Sequence, residues 1–169
     1  MINFKEVDKS WTLFLDRDGV INKEVLGDYV LKTSQFFFYD ETLIALEILN
    51  RYFGTIVIVT NQKGVGRGVM TQADLDEIHD NMMKEIVIKG GRIDKIYFAT
   101  DLENDSPYRK PQIGMALHAD RVVVMANGRL LHHGRSGDAA THTALVDVFD
   151  QRISIHAIEG QWVALPKNK

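Results

Sequence analysis

Three short stretches of the chain carry residue types and spacings that can do chemistry. Asp16-Arg17-Asp18-Gly19-Val20 follows directly on the apolar run Trp11 to Leu15. Two carboxylates at i and i+2 past a strand end face one site if the backbone curls there. Their joint charge invites a hard cation such as Mg²⁺, which takes oxygen ligands. One carboxylate can then attack phosphorus while the other moves protons. A solvated turn is the competing reading, because Asp and Gly are common turn residues. Thr60-Asn61-Gln62 ends the run Thr55 to Val59 and precedes Gly64-Val65-Gly66-Arg67-Gly68. Hydroxyl, amide and exposed backbone N–H groups suit the oxygens of a phosphoryl group. No Gly-Lys-Ser/Thr follows, so the glycines form no nucleotide P-loop, and a flexible glycine loop is the alternative. Arg109-Lys110-Pro111 completes the set. A lysine reaching back from there would neutralise both the carboxylates and a transferring phosphoryl group. A solvated surface pair is the plain alternative.

The elements that must position these residues are legible in the hydrophobic pattern. Trp11–Leu15, Thr55–Val59 and Ile96–Ala99 are continuous apolar runs, as in parallel strands covered on both faces. Asp40 can cap a helix carrying Leu43, Leu46, Ile48 and Leu49, which Gly54 closes. Thr71 can cap a second helix with Leu75, Ile78, Met82 and Ile86 on one face, ended by Gly90-Gly91. Strand and helix alternate, which predicts an α/β fold with a doubly wound, Rossmann-type parallel sheet and right-handed crossovers. The gaps from Asp18 to Thr60 and from Thr60 to Lys110 leave no room for a large cap domain. Ligands collect at the carboxyl ends of such strands, which here carry Asp16, Thr60 and Asp101. After Leu117 the pattern turns antiparallel. Val122–Met125, Asn127-Gly128 and Leu130–His132 read as one hairpin, and Ile153–Ile158, Glu159-Gly160 and Trp162–Leu165 as another. A short helix over about Ala139 to Phe149 separates them. The expected organisation is a core over 1–117 and an atypical segment over 118–169, within one compact domain.

Composition sets the outer bounds. The chain has 169 residues, 45% of them apolar and 25% charged, which are ordinary globular values. Twenty basic and twenty-three acidic side chains leave a net charge of −3, with no electrostatic footprint for nucleic acid. Cysteine is absent, so disulfides, thiolate zinc sites and a cysteine nucleophile are excluded. No apolar run approaches the roughly 20 residues that span a bilayer, and the first ten residues do not read as a signal peptide. The expectation is a cytoplasmic protein without a membrane partner.

In order and spacing, the three constellations resemble the haloacid dehalogenase superfamily of phosphatases. Within it they resemble the branch of histidinol-phosphate phosphatase and D-glycero-D-manno-heptose 1,7-bisphosphate phosphatase. The residues that carry the resemblance are Phe14 to Asn22, Gly27-Asp28-Tyr29-Val30, Val59-Thr60-Asn61-Gln62 with Gly66-Arg67-Gly68, and Arg109-Lys110-Pro111 with Gly114-Met115. They cover about residues 10 to 117. The resemblance implies a Mg²⁺-dependent phosphatase acting on a small phosphorylated metabolite. Asp16 would be the nucleophile that becomes an aspartyl phosphate, and Asp18 the general acid and base. Both would be metal ligands, Asp18 through its carbonyl. Thr60 and Asn61 would hold phosphoryl oxygens, and Lys110 would steady the charge. Gln62, Arg109 and the loop residues Asp28 and Tyr29 would meet the substrate.

The chain departs from that branch in two places. The stretch Asp101 to Tyr108 lacks the cysteine and histidine zinc loop of many heptose phosphatases. The resemblance also demands a strand ending in Gly-Asp with a further acid, to complete the metal shell. Val122–Met125 ends instead in Ala126-Asn127-Gly128, and Gly137-Asp138 follows a stretch without strand character. Asp138, Asn127 or no residue at all is thus the third ligand. From Ala119 onward the chain resembles the carboxyl-terminal tail of an ABC-transporter ATPase, through Ala119 to Leu130 and Trp162 to Pro166. No P-loop precedes that tail, so no ATPase is implied, and a chimeric chain is the expectation. The alternative function is a catalytically impaired phosphate-binding protein that lacks the fourth motif. His132, His133, His142 and His156 read as surface or hairpin residues, Met82-Met83 as core, and Phe36-Phe37-Phe38 as packing beside the first strand.

Overall fold

β-branched residues dominate Thr55–Asn61, and this strand becomes the centre of the sheet. The structure, a computed structural model, describes residues 7–25, 27–103, 106, 109–110, 121–126, 129–135, 137–148, 153–158 and 161–166. Strands β1 (Thr12–Leu15), β2 (Thr55–Asn61) and β3 (Lys95–Ala99) form a parallel sheet in the order β1-β2-β3. Leu15 pairs with Ile58 and Asn61 with Ala99, so the three carboxyl ends open along one edge. Within this sheet β2 has a strand on each side and is the most buried of the three. β1 is half-buried along its length, and β3 is exposed at Lys95 and Phe98 and buried at Ala99.

Helices α1 (Thr42–Tyr52) and α3 (Gln72–Ile88) join the strands, with the one-turn α2 (Lys63–Gly66) directly after β2. Leu46 of α1 and Leu75, Ile78, Met82 and Ile86 of α3 pack with Ile56 and Ile58 into the core. Burying each such side chain is worth about 1.5–3 kcal/mol. Thr71 and Asp74 form a reciprocal capping box at the start of α3. The expected cap at Asp40 is not there. Glu41 occupies the N-cap without a side-chain bond, and Asp40 instead pairs with Lys23 at 3.5 Å. The glycine stretch is not an open loop. Val65, Arg67 and Gly68 donate their N–H groups to Gln62, Lys63 and Val65, which removes them from phosphate binding. Gly66 sits so close to β3 that a Cβ would lie 2.0 Å from the Thr100 carbonyl. Phe36 is core and meets Phe38 edge-on at 5.1 Å, but Phe37 is 61% exposed, contrary to the packing expected for all three. Met82 is fully buried and Met83 packs against the core.

The last third consists of two antiparallel hairpins and a helix. β4 (Arg121–Ala126) pairs with β5 (Arg129–Arg135), and β6 (Ile153–Ile158) with β7 (Gln161–Pro166). α4 (Ala139–Val148) lies between them in sequence and packs on β4 and β5. β5 runs through His132-His133-Gly134-Arg135, so Gly137-Asp138 does follow a strand. Cross-strand pairing, not composition, makes it one. No described strand pairs with the outer edge of β1. The turns at Asn127-Gly128 and Glu159-Gly160 and the Pro111–Leu117 stretch lie outside the described residues.

Candidate active site

Beyond β1 the chain winds around one carbonyl. The oxygen of Arg17 accepts the N–H groups of Val20, Ile21 and Asn22, and Gly19 N–H donates to Asn22 O at 2.8 Å. Gly19 makes this possible with φ +81°, a conformation costly for other residues. The loop turns Asp16 and Asp18 toward one cleft. Its lining, in a volume of about 400 Å³, is Asp16, Asp18, Thr60, Asn61 and Lys110.

Each lining residue is held by a distinct device. Asp16 Oδ1 accepts the N–H of Arg17 at 2.7 Å, and Oδ2 is ion-paired with Lys110 Nζ. Asp18 receives Arg17 Nη2 at 3.0 Å on both oxygens, Asn22 Nδ2 at 3.0 Å on Oδ1, and Gln62 Nε2 at 3.0 Å on Oδ2. Burial opposes the charge on Asp18. The Arg17 guanidinium and the bonds from Asn22, Arg17 and Gln62 outweigh it and hold its pKa below the ordinary carboxylate value. Gln62 Nε2 also donates to Thr60 Oγ1 at 2.9 Å, so one buried amide aligns the hydroxyl with the carboxylate. Asn61 exchanges two bonds of 2.8 Å with the backbone N–H and C=O of Lys110.

The other sequence candidates stand outside the lining. Gln62 is buried behind it. Arg109 is buried too, and its Nη1 donates to the Leu102 carbonyl at 3.4 Å. Asp28 is exposed and its Oδ1 accepts the N–H of Tyr29, whose ring lies 5.8 Å from the Arg67 guanidinium carbon. Asp101 is exposed and does not line the cleft. Asp138 Oδ2 accepts the N–H of Arg135 and closes the β5–α4 turn. His132 and His156 meet the hydroxyls of Thr141 and Ser154. The sequence reading gave no role to Arg17, Asn22 or His79. Arg17 is 1% exposed, and its Nη1 lies 3.2 Å from Nε2 of the buried His79 on α3. The signal for His79 was present, since it falls between Leu75 and Met82 on the apolar stripe of α3.

The cleft's donor set bears on a metal. Asp16 offers a carboxylate to the cleft, while both oxygens of Asp18 accept from Arg17, Asn22 and Gln62. Among the described residues no group of three or more His, Cys, Asp or Glu side chains could hold a metal ion. Mg²⁺ commonly binds through one or two carboxylates, completed by phosphate oxygens and water. The residues present fit an ion held from that one side.

Parallel strands, crossover helices and charged strand ends define a Rossmann-like α/β fold, which the chain shares with haloacid-dehalogenase-like proteins. More narrowly, the chain belongs to the polynucleotide kinase 3 phosphatase family, whose profile matches residues 12–152. It is 40% identical over 108 residues to D-glycero-alpha-D-manno-heptose-1,7-bisphosphate 7-phosphatase of Mycobacterium tuberculosis, covering 63% of this chain and 57% of that protein. To the enzyme of that name from Campylobacter jejuni it is 41% identical over 115 residues, covering 66% and 63%. The chain thus spans about three fifths of the length of these relatives. Among solved structures it is similar to D,D-heptose 1,7-bisphosphate phosphatase of B. bronchiseptica in complex with magnesium and phosphate. There the TM-score is 0.59 at 31% identity, covering 63% of this chain and 60% of the other. A structure described as a HAD-like phosphatase from Mesorhizobium loti matches with a TM-score of 0.53 at 28% identity, covering 63% and 54%.

Proposed function

We propose that the chain is a Mg²⁺-dependent phosphomonoesterase acting on a small phosphorylated metabolite, of the sugar bisphosphate or histidinol phosphate type, in the cytoplasm. The carrying observation is the convergence of Asp16, Asp18, Thr60, Asn61 and Lys110 on one cleft at the carboxyl ends of parallel strands. The names of the heptose bisphosphate phosphatases it resembles support the substrate class. Asp16 attacks phosphorus, the ester P–O bond breaks, and the leaving oxygen takes the proton that a substrate monoanion brings in and the ionised Asp18 relays. Water then attacks the aspartyl phosphate, Asp18 takes its proton, and phosphate leaves with Asp16 restored. Lys110 follows the charge from Asp16 onto the phosphoryl oxygens, and Thr60 donates to one of them. Mg²⁺, bound by Asp16 and Asp18 with phosphate oxygens and water, would supply charge neutralisation.

In this reading Gln62 and Arg109 support the site, and Asp28 and Tyr29 with Arg67 form its rim. Residues 1–117 carry the chemistry and 118–169 are an appended segment, with neither nucleic acid nor membrane as partner. Phosphate release from heptose 1,7-bisphosphate, histidinol phosphate and p-nitrophenyl phosphate, with Mg²⁺ titrated against a chelator, tests it. Mg²⁺-dependent release that disappears in Asp16→Asn supports the proposal. Half-saturation is expected well above micromolar Mg²⁺, because no third acid joins the described site.

That same observation favours a second reading, a phosphate-binding protein without turnover. Calorimetric phosphate binding with no release from any of the three esters would select it.

A further inference from the structure

The phosphatase reading leaves His79, a buried polar group beside the site, without a task. His79 lies on α3, 6% exposed, among Leu75, Ile78 and Met82, with the Phe98 ring of β3 at 5.8 Å. Its Nε2 points at Arg17 Nη1, 3.2 Å away. Arg17 turns its other face on Asp18, with Nε at 3.3 Å and Nη2 at 3.0 Å. Resting on the phosphatase reading, we propose that His79 is a positioning residue that holds the Arg17 guanidinium in the pose that grips Asp18.

Residue type supports the assignment. A guanidinium is a planar fork, so fixing the Nη1 arm fixes the plane of the other two donors. An arm buried without an acceptor would cost free energy and turn the fork toward other oxygens. The acceptor also has to be uncharged. A carboxylate at position 79 would compete with Asp18 for Arg17, and a cation would repel it. Burial, and then the Arg17 charge, lower the His79 pKa from 6.5 to about 4, so the ring is neutral at physiological pH. To accept from Arg17 it must leave Nε2 bare and carry its proton on Nδ1.

The test compares His79→Leu with His79→Gln, whose amide oxygen can still accept from Arg17. On p-nitrophenyl phosphate, His79→Leu should lose roughly 10-fold to 100-fold in kcat with KM within about twofold, the scale of one lost hydrogen bond to a charged group. His79→Gln should recover most of that loss. A folded His79→Leu protein with wild-type kcat overturns the proposal, and so does a loss that appears equally in His79→Gln. If His79→Leu does not fold, ¹⁵N–¹H correlation of the wild-type imidazole decides. A bare Nε2 supports the contact, and a protonated Nε2 overturns it. That spectrum needs no turnover, so a wild-type protein that releases no phosphate defeats the phosphatase reading alone.

Discussion

The β1–β3 sheet and the two carboxyl-terminal hairpins use polar side chains in opposite ways. In the sheet, each strand pairs with one that arrives only after a crossover helix, so distant residues gather at one edge. Asp16, Thr60 and Lys110 meet there. In the hairpins each strand pairs with its neighbour in sequence, and three polar contacts there are local. His132 meets Thr141, His156 meets Ser154, and Asp138 meets Arg135. The bonded groups of the sheet edge come from distant strands and together line a cleft, whereas these hairpin contacts join residues close in sequence and line none that is described. The lesson is that acids mark a site where the topology gathers them from separate strands around one cleft.

The sharpest way to break this contrast is Asp16→Asn, which keeps side-chain volume and removes the nucleophile. Turnover should fall by about 10⁴-fold or more, with an unchanged melting temperature. Lys110→Ala comes next, with an expected loss of about 10²–10³-fold in kcat. Arg109→Ala, one residue away but buried against the Leu102 carbonyl, should lower the melting temperature more than it lowers kcat. Equal small losses of kcat from both would mean that the pair lies outside the chemistry. Third is acid stability. His79 binds its proton less readily folded than unfolded, so its share of stability is full above pH 6.5 and is lost as pH falls toward 4. That share is about 3 kcal/mol, read as the fall in unfolding free energy between urea titrations at pH 7 and pH 4. His79→Gln should flatten it. Smallest is Asp138→Ala in the hairpin region. It should cost about 1 kcal/mol by freeing the Arg135 N–H, while the Mg²⁺ concentration for half-maximal turnover stays put. A rise in that concentration would make Asp138 a ligand and erase the contrast.

Much of the sheet edge was legible because its signals are local. An apolar run that stops at Asp16, or at Thr60-Asn61, announces both a strand and what its end presents. The cap at Thr71 and the hairpins after residue 120 were equally readable from adjacent residues. What sequence concealed was orientation. Asn61 and Gln62 are both amides suited to a phosphate, yet one binds the Lys110 backbone and the other stands behind Asp18. Arg109 and Lys110 look alike as a basic pair, and one is buried while the other enters the cleft. His79 carries no local signal beyond its place on a helix stripe, because its partner Arg17 is far away in the chain. Asp40 resembled a cap until Lys23, from another loop, claimed it.

The paired bonds between Asn61 and the Lys110 backbone have a consequence for the order of events in folding. They close a contact across 49 residues of sequence. Contacts of that span form late, after the intervening chain has been ordered. Asp16 and Asp18 belong to a turn that can assemble early, with its own guanidinium at hand in Arg17. The lysine is delivered only once β3 has docked on β2 and the following chain has returned to meet Asn61. A half-folded chain therefore exposes the nucleophile without its cation, and activity in a refolding experiment would lag behind the signal of strand formation.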